Sequence, residues 1–184
     1  MSFADGISLS RLFSTPFICW FIWHQHTMLA LWTFIGAGVT DLLDGLFARV
    51  FKAQSDFGKY LDPLADKVLL DGTFLTLWAM GYAPWWLTIL VIARDIALVV
   101  MAILAYRRDP SIPLSPNMTG KVSTAMQMLF VVLILVAHAY GVQTHLRFAT
   151  DMVSLTTALL AVISILLYIR RGRLYVAGQS AFKK

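Results

Sequence analysis

Apolar stretches long enough to cross a bilayer follow one another along the chain, separated by short polar segments. Six can be drawn, at about 8–24, 28–51, 58–82, 84–106, 121–141 and 149–169. The segments between them carry turn-forming residues, as in "HQHT", "GYAP", "RRDPSIPLSPNMTG" and "GVQTH". None is long enough to hold a soluble domain. The pattern therefore predicts an all-α membrane protein with six transmembrane helices, forming one domain over 1–184. The first stretch has a polar start (Ser8, Ser10, Arg11) and can begin as an interfacial helix.

Composition sharpens this picture. The chain is 59% hydrophobic and 14% charged, with a mean hydropathy of +0.72, more apolar surface than a soluble fold of 184 residues could hide. A single cysteine, Cys19, excludes an internal disulfide. No basic segment followed by a short apolar run and a small-residue cleavage site opens the chain, so no cleavable signal peptide is expected.

Charge then gives an orientation. Arg49, Lys52 and Lys59 flank the second connection, Arg107 and Arg108 the fourth, and Arg170, Arg171, Arg173, Lys183 and Lys184 the C-terminal end. The connections on the other side contribute only Arg147. The positive-inside rule places both termini, and the 41–66 end of the helices, in the cytoplasm, as for a multi-pass protein of a bacterial inner membrane. The net charge of +5 follows the membrane edge, which suits anionic lipid and not nucleic acid.

Against this apolar background, "DLLDGLFARVFKAQSDFGKYLDPLAD" at 41–66 holds five of the ten acidic residues. Asp41 and Asp44 share a face of the second helix at i, i+3, and Asp62 and Asp66 share a face of the third at i, i+4. A short connection makes the two helices antiparallel neighbours, with all four carboxylates near one mouth. Charges in a span are costly and mark function by default. Four carboxylates in a partly dry site repel one another unless cations neutralise them. Hard oxygen donors without supporting His or Cys point to two divalent ions, Mg²⁺ or Mn²⁺.

Gly45 and Ala48 continue the Asp41/Asp44 face, and Gly58 lies one turn before Asp62, leaving room for an extended ligand. Arg49 adds a fixed positive charge suited to a phosphate. Together these features suggest phosphoryl-type transfer at a cytoplasm-facing polar cavity. Taken singly, each has a plainer reading. Small residues serve helix packing, a lone aspartate can relay protons, and Asp56 suits a solvated loop charge beside Lys52. It is the combination that carries the chemistry.

The stretch resembles the signature of the CDP-alcohol phosphotransferase (phosphatidyltransferase) family, D-x2-D-G-x2-A-R-x8-G-x3-D-x3-D, with every fixed position filled: Asp41, Asp44, Gly45, Ala48, Arg49, Gly58, Asp62 and Asp66. The resemblance implies an enzyme using CDP-diacylglycerol, with Asp41, Asp44, Asp62 and Asp66 holding two divalent metals. Asp66 would also act as general base, and Gly45, Ala48, Arg49 and Gly58 would line the cytidine–pyrophosphate pocket. The acyl chains would stay in the bilayer. Family members often form homodimers, an option the resemblance leaves open.

Three further stretches, "TDLLDG", "ARDIALVV" and "SPNMTGKVSTAMQ", are most similar to the CMP-forming cardiolipin synthase branch, whose acceptor is phosphatidylglycerol. The competing branch, phosphatidylglycerophosphate synthase, usually has Arg-Glu where this chain has Arg94-Asp95. Arg94, mid-span, and Lys121, at the start of the fifth helix, are candidate contacts for an acceptor phosphate. Arg94 can equally pair with Asp95, Lys121 can anchor the helix by its charge, and Lys67 is expected to pair with Asp71 at i, i+4 or to touch a phosphate. Arg11 can reach the mouth or snorkel to headgroups, and the four histidines are too scattered to hold a metal. A small cation transporter is the non-enzyme alternative. It would need access from both faces, and the far ends of these spans are almost uniformly apolar.

Overall fold

The computed structural model describes the backbone at residues 3–51, 58–108 and 118–182, and side chains at 11–40, 65–101, 103 and 118–170. All elements are helices: α1 (Phe3–Trp23), α2 (Thr27–Phe51), α3 (Gly58–Ala79), α4 (Trp85–Arg108), α5 (Met118–Ala139) and α6 (Gln143–Phe182). The six expected elements are present, with shifted ends. The first starts at Phe3 and not near 8, and the last runs over Gln143–Phe182 where the apolar pattern marked 149–169. Apolarity reports only the part of a helix that needs a nonpolar surrounding, whereas the hydrogen-bond ladder continues until a breaker stops it.

The connections at the end away from the aspartates are tight because each uses a residue in left-handed conformation. Gln25 (φ 61°), Gly81 (φ 74°) and Gly141 (φ 67°) occupy that position. The next amide then reaches back five residues: His26 to the Phe21 carbonyl (2.8 Å), Tyr82 to Leu77 (2.8 Å) and Val142 to Ala137 (2.9 Å). These are Schellman caps, which satisfy helix-terminal carbonyls without solvent. Two of the three use glycine, the residue with no steric cost there; Gln25 carries that cost.

α3 packs chiefly on α1 and α5 on α6, with further α1–α2, α4–α6 and α2–α5 contacts. The close approach of α1 to α3 depends on Gly72, where an added Cβ would lie 3.2 Å from Thr15 Cγ2. One apolar core, including Ile18, Ile22, Leu31, Phe34, Phe74, Leu77, Leu87, Val91, Phe130 and Leu135, joins α1 to α5. Phe74 and Phe130 stack at its centre, 5.6 Å between ring centroids. Tyr82 stacks on His138 at 3.8 Å, closing the end away from the aspartates.

Two threonine hydroxyls inside this core are satisfied along their own helices. Thr73 donates to the Leu69 carbonyl (2.7 Å) and Thr157 to Val153 (2.7 Å). The outward faces are apolar as well, with Phe13, Phe17, Trp20, Trp32, Leu155, Leu159 and Leu166 all more than half exposed. Among the described residues, Met118–Ala139 and Gln143–Arg170 are helices long and apolar enough to cross a membrane.

Candidate functional site

The signature residues occupy the expected elements. Asp41, Asp44, Gly45, Ala48 and Arg49 lie in the last turns of α2, Gly58 opens α3, and Asp62 and Asp66 follow in its first turns. The helical backbone over both segments puts each aspartate pair on one face of its helix. The side chains of 41–64 lie outside the described residues, and with them the predicted Lys52–Asp56 pairing and the metal and CDP contacts of Asp41, Asp44, Gly45, Ala48, Arg49, Gly58 and Asp62.

Asp66 is the signature residue whose side chain is described. It is about one-third exposed (34%) and forms an ion pair with Arg11 of α1, itself 3% exposed. Arg11 therefore reaches the site and does not snorkel outward. Its position is fixed from below, since Ser14 and Thr15 both donate to the Arg11 carbonyl, at 2.9 and 3.0 Å. A buried guanidinium at a carboxylate that stays partly open compensates charge while leaving the oxygens accessible.

A second polar cluster lies around α3 from Asp66. Lys67 does not bond Asp71 directly, as the i, i+4 spacing suggested. Its ammonium donates to the Asp95 carbonyl of α4 (2.9 Å) and lies 3.6 Å from the Asp95 carboxylate. Four flexible methylenes let lysine reach a neighbouring helix, where a carbonyl and a buried carboxylate both accept its charge. Arg94 forms an ion pair with Asp95, and its Nη2 donates to the Gly120 carbonyl of α5 (3.1 Å). The structural reading of Arg94 is thus realised, and α3, α4 and α5 are tied together beside Asp66. Arg94 and Asp95 are each 3% exposed. Lys121, the other predicted acceptor contact, is exposed at the start of α5.

Sequence reasoning passed over Ser123 and Gln127. Both are fully buried, and both are polar positions on the face of α5 that also carries Phe130, Val131 and Ile134. Two polar residues at i, i+4 within an otherwise apolar inward face is the signal that would have found them. Among the described residues, no group of three or more His, Cys, Asp or Glu side chains could hold a metal.

Comparison with known proteins places this arrangement. The family model for CDP-alcohol phosphatidyltransferase matches residues 1–169. A probable phosphatidylglycerophosphate synthase of Mycobacterium tuberculosis is 31% identical over 156 residues, covering 84% of this chain and 71% of that protein. A CDP-diacylglycerol–glycerol-3-phosphate 3-phosphatidyltransferase of Aquifex aeolicus is 29% identical and aligns over 94% of this chain and 96% of its own length. The CMP-forming cardiolipin synthase of Homo sapiens is 33% identical over 73% of this chain and 50% of its own length.

Proposed function

Because the chain belongs to the CDP-alcohol phosphatidyltransferase family, we propose that it moves the phosphatidyl group of CDP-diacylglycerol to the terminal hydroxyl of phosphatidylglycerol, giving cardiolipin and CMP. The observation that carries the transfer chemistry is the complete signature laid across the end of α2 and the start of α3. The six helices are the proposed membrane spans, with both termini and the aspartates on the cytoplasmic side.

Asp66 takes the proton of the acceptor hydroxyl. The acceptor oxygen then forms a bond to the phosphatidyl phosphorus as the bond between that phosphorus and the CMP oxygen breaks, and CMP leaves with the electron pair. Arg11 keeps Asp66 in place through their ion pair. Gly45, Ala48, Arg49 and Gly58 line the cytidine–pyrophosphate pocket.

The donor chemistry fits a hard divalent cation: four carboxylates, with Asp66 partly open at the head of α3. Asp41, Asp44, Asp62 and Asp66 would hold two Mg²⁺ or Mn²⁺ ions. Bound there, such ions stabilise the negative charge that develops on phosphate oxygens.

The choice of acceptor is supported by the charge available for it. Arg94 is already engaged by Asp95 and Gly120, which leaves Lys121 as the open cation of the proposed acceptor-phosphate contacts. That suits the single charge of a phosphodiester better than the nearly double charge of glycerol-3-phosphate. The end-to-end match to the Aquifex aeolicus protein favours a second reading, transfer to glycerol-3-phosphate. Offering phosphatidylglycerol, glycerol-3-phosphate and myo-inositol in parallel to purified protein in lipid vesicles decides between them. Cardiolipin as main product is expected; phosphatidylglycerophosphate without cardiolipin selects the second reading.

A further inference from the structure

The polar layer at the level of Asp66 contains more hydrogen-bonding capacity than the described residues use. Both amide atoms of Gln127 and the hydroxyl of Ser123 have no partner among the described residues, although both residues are fully buried. Nε of Arg94 is left over in the same way. The core threonines nearby, by contrast, bond their own helix carbonyls. Leaving a buried polar group unmade costs about 1–3 kcal/mol each, so such a group calls for a partner that comes and goes.

Helix register puts these groups at the level of Asp66. Asp66, Leu70 and Phe74 form one i, i+4 row on α3, and Phe74 ends that row stacked on Phe130 of α5. α3 and α5 run in the same direction away from the aspartate end. Two turns back from the stack are Asp66 on α3 and Ser123 on α5, and one turn back are Leu70 and Gln127. Side chains lean toward the start of their helix, so Gln127 inclines to the Asp66 level. The Arg94–Gly120 bond closes the layer one turn beyond Ser123.

The chemistry of this pair selects its ligand. An amide with a free donor and a free acceptor, beside a hydroxyl, is neutral and reads a neutral hydroxyl. It supplies no charge for a phosphate and no carboxylate for a metal. Phosphatidylglycerol and glycerol-3-phosphate share one such group: the secondary hydroxyl next to the terminal hydroxyl that reacts. Resting on the phosphatidyl-transfer reading above, we propose that Ser123 and Gln127 form the subsite that recognises the non-reacting secondary hydroxyl of a glycerol-bearing acceptor. The pair distinguishes glycerol headgroups from simple alcohols and presents the terminal hydroxyl to Asp66.

The test compares acceptors that differ by that hydroxyl alone. Phosphatidylglycerol is paired with phosphatidyl-1,3-propanediol, and glycerol-3-phosphate with 3-hydroxypropyl phosphate, in CMP-release assays on the full chain in lipid. The wild type should prefer the member with the secondary hydroxyl roughly 100-fold in kcat/KM, whichever pair it uses. Gln127→Leu should bring that ratio close to 1, and Ser123→Ala should lower it by roughly tenfold. Equal use of both members by the wild type, as when Ser123 and Gln127 hold bound water only, overturns the subsite whether or not either variant folds. So does a variant that slows both members equally and keeps the ratio. No CMP release with any glycerol acceptor overturns the transferase reading, and this inference with it.

Discussion

From the centre of the bundle to the end away from the aspartates, Phe74 stacks on Phe130, Tyr82 covers His138, and Schellman caps close the C-terminal ends of α1, α3 and α5. At the aspartate end, Arg11 holds Asp66, Lys67 and Arg94 converge on Asp95, and Ser123 and Gln127 have no partner among the described residues. The same helices run through both ends. One region stacks rings and caps helix ends, whereas the other gathers groups whose burial costs free energy. Proteins tolerate such a layer where a ligand completes it. The contrast separates the part of the molecule that holds the fold from the part that acts, and substitutions can test that separation.

The largest expected difference is at Asp66. Asp66→Asn keeps size and removes the proposed proton acceptor, so turnover should fall by about 10²–10⁴-fold, with the thermal midpoint little changed. CDP-lipid binding should suffer less than in Asp41→Asn or Asp44→Asn. Equal loss of binding in all three would leave Asp66 as a metal ligand only. The converse substitution is Phe130→Ala, which empties half of the central stack. It should cost about 3–5 kcal/mol of stability, while kcat per folded molecule changes much less. A Phe130→Ala protein that is stable but inactive would blur the two ends into one. The smallest effect is at Gln25, whose left-handed backbone penalises any side chain. Gln25→Gly should raise stability by about 0.5–1 kcal/mol without altering turnover.

The helices and the signature were legible in the sequence because each depends on local spacing: apolar length for the helices, fixed offsets for the aspartates. What was not legible depends on which helix faces which. Lys67 and Asp71 look like a pair on paper, yet Lys67 bonds Asp95, twenty-eight positions away in sequence. The Arg94–Gly120 bond has the same character, since a carbonyl acceptor leaves no mark in residue type. Arg11 was visible as an oddity in an apolar stretch, but its partner Asp66 was not. Ser123 and Gln127 sat inside a stretch noticed only for its likeness to a family. Their meaning came from full burial without partners among the described residues, a property that only the packed bundle reveals.

The central claim, that the aspartate end performs divalent-ion-dependent phosphatidyl transfer, is tested most directly by CMP release from CDP-diacylglycerol. Purified protein in vesicles containing phosphatidylglycerol would be assayed after EDTA treatment and again after adding excess Mg²⁺ or Mn²⁺. Loss of CMP release in chelator and its recovery on adding either ion is the predicted result. Undiminished CMP release in excess EDTA would contradict the account.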